Sequence, residues 1–173
     1  MAWEYYLGSL RWLHILAGIT WIGLLYYFNF VQTPSFPKLQ GDSRRDAFVN
    51  LVPSALWWFR WAAMVTFLAG VAWIISRGVH LGWDGYVGSA SFNSIMVGGG
   101  FGIFMFLNVW LIIWPNQKKI IAANVAQTEN PDAPGPDPKW ASTAAIASRV
   151  NTLLSVPMLF FMVAARNMPV IWQ

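Results

Sequence analysis

Four stretches of some twenty consecutive, largely apolar residues decide what this chain can fold into. They run from about Leu7 to Val31, Ala55 to Ile75, Ile95 to Trp114 and Ala144 to Ala165. A helix needs about 20 such residues to cross the hydrocarbon core of a bilayer. Within that core every backbone N–H and C=O must find its partner inside the protein, which leaves only helices and closed barrels. A barrel requires short alternating strands, and the sequence has none. The prediction is therefore an all-α, integral membrane four-helix bundle forming a single domain. Only 10% of the residues are charged, against about 25% in ordinary soluble domains, so the chain cannot cover a water-facing surface. Its 12 Trp and 12 Phe suit a protein that meets two bilayer interfaces. The opening Met1-Ala2-Trp3-Glu4 lacks a basic leader, and no small-residue cleavage site follows the first apolar run, which therefore reads as a span rather than a cleavable signal.

The connections are polar and rich in helix breakers. Thr33-Pro34-Ser35-Phe36-Pro37 is expected to end the first helix and Pro115-Asn116 the third. Gly78 to Ser91 reads as an interfacial loop, and the proline-rich stretch from Glu129 to Lys139 as an exposed one. The distribution of Lys and Arg sets the expected orientation. Lys38, Arg44, Arg45, Lys118, Lys119, Lys139 and Arg149 fall on one side, and Arg11, Arg77 and Arg166 on the other. The richer side is expected in the cytoplasm of a bacterial inner membrane, with both termini on the periplasmic side. The net charge of +4 is thus a topology signal, and no nucleic-acid partner is expected.

Ionisable groups at membrane depth are costly and are functional candidates by default. His14 is the sharpest. Helical spacing puts Arg11, His14, Gly18, Trp21 and Leu25 on one face. A haem site in a bundle wants such a set: an imidazole for the iron, a small residue one turn away and a cation for a propionate. The alternative is a histidine that hydrogen-bonds a neighbouring helix and packs. His80, after the second span, is a weaker metal-ligand candidate that could pair with His14, or be a solvated loop residue. Arg60, among Trp57, Trp58 and Trp61, reads as a snorkelling interfacial anchor. Asn108 and Asn151 read as interhelical glue. The run Gly98-Gly99-Gly100 with Gly102 offers a smooth wall for close packing or a flat cofactor, and Met158 and Met162 share a packing face. The absence of Cys removes disulfides, thiolate metal sites and thioether haem attachment. Every carboxylate lies outside the spans, so no carboxylate proton relay is expected, which weighs against a pump or proton-coupled transporter.

Three segments carry a resemblance. Arg11-Trp12-Leu13-His14-Ile15 with Gly18-Ile19-Thr20-Trp21-Ile22-Gly23, Asn108-Val109-Trp110-Leu111-Ile112-Ile113-Trp114-Pro115-Asn116-Gln117-Lys118, and Asn151 through Met162 resemble the N-terminal membrane domain of membrane-bound, cytochrome c-linked urate oxidases. The resemblance implies an inner-membrane helical domain carrying haem b and passing electrons toward a periplasmic cytochrome c domain. That family domain is longer than this chain and has roughly twice as many helices, and no Cys-x-x-Cys-His motif of a cytochrome domain occurs here. The chain also departs from the family's histidine pattern. Met96 stands where the family has a His early in the third helix, the one that carries the Asn108–Lys118 segment, and Arg166 and Asn167 where it has one near the end of the last matched helix. His14 with Met96 is then the conceivable axial pair, with Arg11 and Gly18 beside it. Three functions follow from these readings. One is an accessory, non-catalytic subunit of a larger membrane redox complex, whose partners are the bilayer and other membrane subunits. Another is a haem b electron carrier serving a periplasmic cytochrome c. The third is a small-molecule transporter or membrane enzyme.

Overall fold

The computed structural model describes residues 1–172 and is helical apart from short turns and loops, with no strand among them. Four long helices dominate: α1 over Ala2–Lys38, α2 over Asp42–Leu81, α3 over Ala90–Glu129 and α4 over Pro138–Asn167. Each contains one of the predicted apolar spans, and each is long and apolar enough to cross a bilayer. The chain is a four-helix membrane bundle.

Helix ends follow local chemistry. Gly41 and Gly82 turn the chain at positive φ, 52° and 78°, where a Cβ would be strained. Ser89 caps α3 by accepting from the Phe92 amide at 3.2 Å, and Asp137 caps α4 by accepting from Lys139 at 2.8 Å, each satisfying an otherwise orphaned N–H. The loop between α3 and α4 falls where the proline-rich stretch predicts it.

Two expected stops are not stops. The chain stays helical through Pro34 to Lys38, and α3 runs through Pro115 to Glu129. A wide π-helical segment precedes each of these prolines, Tyr27–Gln32 and Asn108–Ile113, and a third, Ala47–Leu51, precedes Pro53. Proline lacks an N–H and its ring collides with the carbonyl four residues back. A π turn shifts the bonding register by one residue and gives the ring room, so the helix survives. Nearby side chains take up carbonyls at these sites: Thr33 Oγ1 donates to Phe28 at 2.7 Å and Asn116 Nδ2 to Ile112 at 2.8 Å. His80 is likewise not in a loop, because α2 continues through it.

The helices run up and down in antiparallel pairs. α1 packs along α2 and α3 along α4, with slimmer contacts between the pairs. Both termini and the α2–α3 connection lie at one end, where the Trp3 ring meets His80 at 5.2 Å and the Trp172 indole donates to Ser94 at 2.6 Å. The core runs through Trp21, Leu25, Phe59, Ala63, Met105 and Val109. Aromatic pairs bridge the helices: Phe28 meets Phe59 edge-on at 5.3 Å, Phe67 stacks on Phe106 at 4.7 Å, and Trp61 meets Trp110 at 5.6 Å.

Candidate functional site

The candidate face of α1 is turned into the seam with α2. Trp21 and Leu25 are buried there. His14 reaches across, its Nδ1 2.8 Å from the carbonyl of Thr66. A carbonyl can only accept, so Nδ1 carries a proton, and in the neutral ring Nε2 holds the lone pair. The Thr66 hydroxyl donates in turn to Ala62 at 2.8 Å. Gly70 makes the approach possible: a Cβ there would lie 3.0 Å from Cε1 and Nδ1 of His14. Gly18 faces the Thr66 side chain, 3.8 Å from where its own Cβ would stand. Arg11 continues the same seam, its guanidinium 5.0 Å from the centre of the Trp73 ring, a cation–π contact.

The four residues proposed for haem are therefore not gathered around one space. His14, Gly18 and Arg11 are packed against α2. Met96 is half-exposed and lines a shallow groove on α3 with Val97, Gly100, Phe101, Phe104 and Leu154. The Phe67–Phe106 stack puts His14 level with the middle of α3. Met96 then lies about 9–15 Å farther along the axis, at 1.5 Å per residue. His80 lies about 15 Å along α2 from Gly70 by the same rise. Two axial ligands of one iron must share it within bond length, and neither Met96 nor His80 comes within reach of His14. One imidazole lone pair, on a ring held against Thr66 and Gly70 of α2, does not by itself fit a haem within this chain. No group of three or more His, Cys, Asp or Glu that could hold a metal ion occurs among the described residues.

The second seam is polar at its centre. Asn108 Nδ2 donates to Asn151 Oδ1 at 2.9 Å, and Asn151 Nδ2 donates to the Met105 carbonyl at 2.9 Å. Asn151 is fully buried and Asn108 nearly so. Both are interhelical glue, as the sequence suggests. Of the glycine run only Gly98 touches α4, where a Cβ would stand 3.1 Å from Phe161 Cβ and 3.2 Å from the Met158 carbonyl. Around Gly99, Gly100 and Gly102 there is open space. Arg60 lies 3.8 Å above the Trp114 ring, so its stem and guanidinium are held by α3 rather than directed only to headgroups.

Sequence reasoning missed the links between the two pairs. The Tyr26 hydroxyl meets Ser155 Oγ at 2.8 Å, and Asn29 Nδ2 donates to Ser148 Oγ at 2.8 Å. Asn29 carried a signal, an amide inside an apolar span. Ser148, Ser155 and Tyr26 did not, because small hydroxyls and aromatic rings are ordinary in membrane helices. Gly70 and Thr66 likewise give no local sign of the histidine they receive.

A family model described as urate oxidase N-terminal matches residues 79–172. The chain belongs to the urate oxidase N-terminal family. The matched stretch takes in α3, α4 and the Asn108–Asn151 seam, along with two of the three segments that carry the resemblance. The first, around His14, lies before it. No curated protein and no solved structure matches the chain. Membership of the urate oxidase N-terminal family thus rests on the half of the bundle built around paired asparagines, while the histidine-bearing α1–α2 seam stands outside the match.

Proposed function

We propose that this protein is an accessory, non-catalytic subunit of a larger redox complex in the bacterial inner membrane. The observation that carries this reading is the state of His14. Its ring is fixed to the Thr66 carbonyl and seated on Gly70, with neither of the other candidate ligands in reach, so it acts as a clamp between α1 and α2. Two further features support it. All seven acidic residues lie outside the apolar spans predicted from the sequence, so the bundle has no carboxylate chain for proton-coupled chemistry. The family scaffold is kept where α3 and α4 join.

Two measurements test the proposal. Extraction in a mild detergent should bring the protein out with other membrane subunits, and a chain that always runs alone would refute the subunit reading. A dithionite-reduced minus oxidised spectrum of the purified protein should show no stoichiometric b-type band. A band abolished by His14→Ala would favour instead a haem b carrier delivering electrons to a periplasmic cytochrome c, with its second ligand supplied from outside this chain.

A further inference from the structure

We propose that the end of the bundle bearing the termini holds a binding site for a phosphate group, formed by Arg11 of α1, Arg77 of α2, Arg166 of α4 and the hydroxyl of Tyr86.

Three helices deliver one guanidinium each to the same end. Arg11 and Arg77 both approach the Trp73 ring, at 5.0 Å and 5.9 Å from its centre. Arg11 also lies within electrostatic reach of Arg166 and Tyr86, and Tyr86 within reach of both Arg77 and Arg11. Like charges at this range repel, and little offsets them. Glu4 is the one acid whose field reaches Arg11, and it is not ion-paired with any of the three. The single ion pair among the described residues, Arg45 with Asp42, is at the opposite end.

Tyr86 supplies the second, independent observation. It is 2% exposed, yet its hydroxyl has no hydrogen-bond partner among the described residues. The Nε1 of Trp73, the ring that both arginines approach, is also buried without a partner among the described residues. Buried polar groups are almost always paired, and an orphan in a native fold calls for a ligand, ion or water. The fold invests in holding Tyr86 there. Gly82 turns the chain at the end of α2, and Gly78 lets the Trp83 ring lie directly on the helix, where a Cβ would come within 2.5 Å. The turn Trp83–Tyr86 thereby folds back over the bundle end, and Phe92 braces the Tyr86 ring edge-on at 5.2 Å.

The donor set selects the ligand. Three helices bring guanidinium forks, and the Trp83–Tyr86 turn a phenol hydroxyl, to one end of the bundle; all are donors, and a phosphate offers several acceptor oxygens to meet them. The depth is suitable too: Arg77 and Arg166 each stand just beyond an apolar span, at the level where lipid phosphates lie. The phosphate can come from an anionic phospholipid headgroup or from free phosphate.

Native mass spectrometry of the detergent-purified protein with added phosphatidylglycerol, diacylglycerol or inorganic phosphate separates these sources. The phospholipid should be retained and diacylglycerol, which lacks the phosphate, should not. Arg11→Gln and Arg77→Gln should each weaken retention by roughly tenfold. Tyr86→Phe, which keeps the ring, should weaken it by about threefold or more. Lys118→Gln, at the other end, should leave it unchanged. Retention of inorganic phosphate alone, lost in Arg77→Gln, would support the site with a free anion as its occupant. Should Arg77→Gln fail to fold, the exposed Arg166→Gln replaces it. Equal retention of phospholipid, and equal response to phosphate, in wild type and the arginine variants would overturn the proposal.

Discussion

If His14 clamps α1 to α2 through a glycine-lined approach, then His14 and Gly70 must be energetically coupled. In wild type, Gly70→Ala puts a methyl group 3.0 Å from Cε1 and Nδ1 of the ring. The imidazole cannot retreat freely, because doing so stretches its 2.8 Å bond to the Thr66 carbonyl. Overfilling a packed site of this kind costs about 1–3 kcal/mol. Against that, alanine in a helix interior gains about 0.8–1.0 kcal/mol over glycine. The net expectation in wild type is a loss of up to about 2 kcal/mol. In a His14→Ala background the obstacle is gone and only the gain remains, so the same substitution should stabilise by up to about 1 kcal/mol. The effect changes sign, and the coupling energy is about 1–3 kcal/mol. Unfolding in mixed micelles with rising dodecyl sulfate, followed by far-UV circular dichroism on the four members of the cycle, measures it. If Gly70→Ala has the same effect in both backgrounds to within about 0.5 kcal/mol, the clamp does not exist and His14 is free for other work.

Other outcomes follow from the second seam and the bundle end. Asn151→Leu removes two buried hydrogen bonds and strands the Asn108 amide, and should cost about 1–2 kcal/mol in the same unfolding assay; Asn108→Leu added to it should cost little more. Gly98→Leu should disrupt the α3–α4 contact because the Met158 carbonyl at 3.2 Å is backbone and cannot yield, whereas Gly100→Leu, facing open space, should be tolerated; thermal midpoints in detergent distinguish them. Burial raises the Tyr86 phenol above its ordinary value of 10.0, while Arg77 and Arg11 pull it down less strongly. The folded state therefore holds this proton more tightly than the unfolded chain, so the contribution is complete below pH 10.0 and is lost as pH rises through the folded value. Stability should fall in alkaline solution, and Tyr86→Phe should flatten that fall, as read from unfolding midpoints across the alkaline range.

Some of this was legible in the residues and some was not. Asn108 and Asn151 could be recognised as glue because an amide in an apolar span has to find a partner, and a neighbouring helix is the usual one. Arg60 was rightly placed beside tryptophans, but Trp114, the ring it rests on, belongs to another helix and could not be named. The prolines misled, since Pro34 and Pro115 read as terminators in a straight α-helix, and the π turns that accommodate them leave no mark in hydropathy. The glycine run misled in a different way: four glycines look equivalent in sequence, and only the rotation of α3 decides that Gly98 alone meets α4.

Hydropathy is a sum over neighbouring residues, and a bilayer reads that sum directly. The sequence by itself therefore determined the membrane class, the four helices and, through the asparagine seam and its flanking motif, the urate oxidase N-terminal family. The fate of His14 depended on the rotation and depth of a second helix, because a hydrogen bond and a 3.0 Å approach are set by which residues of α2 happen to face it. No single helix carries that information. Only the tertiary structure turned the candidate cofactor face of α1 inward onto Thr66 and Gly70, and gathered Arg11, Arg77, Arg166 and Tyr86 at one end.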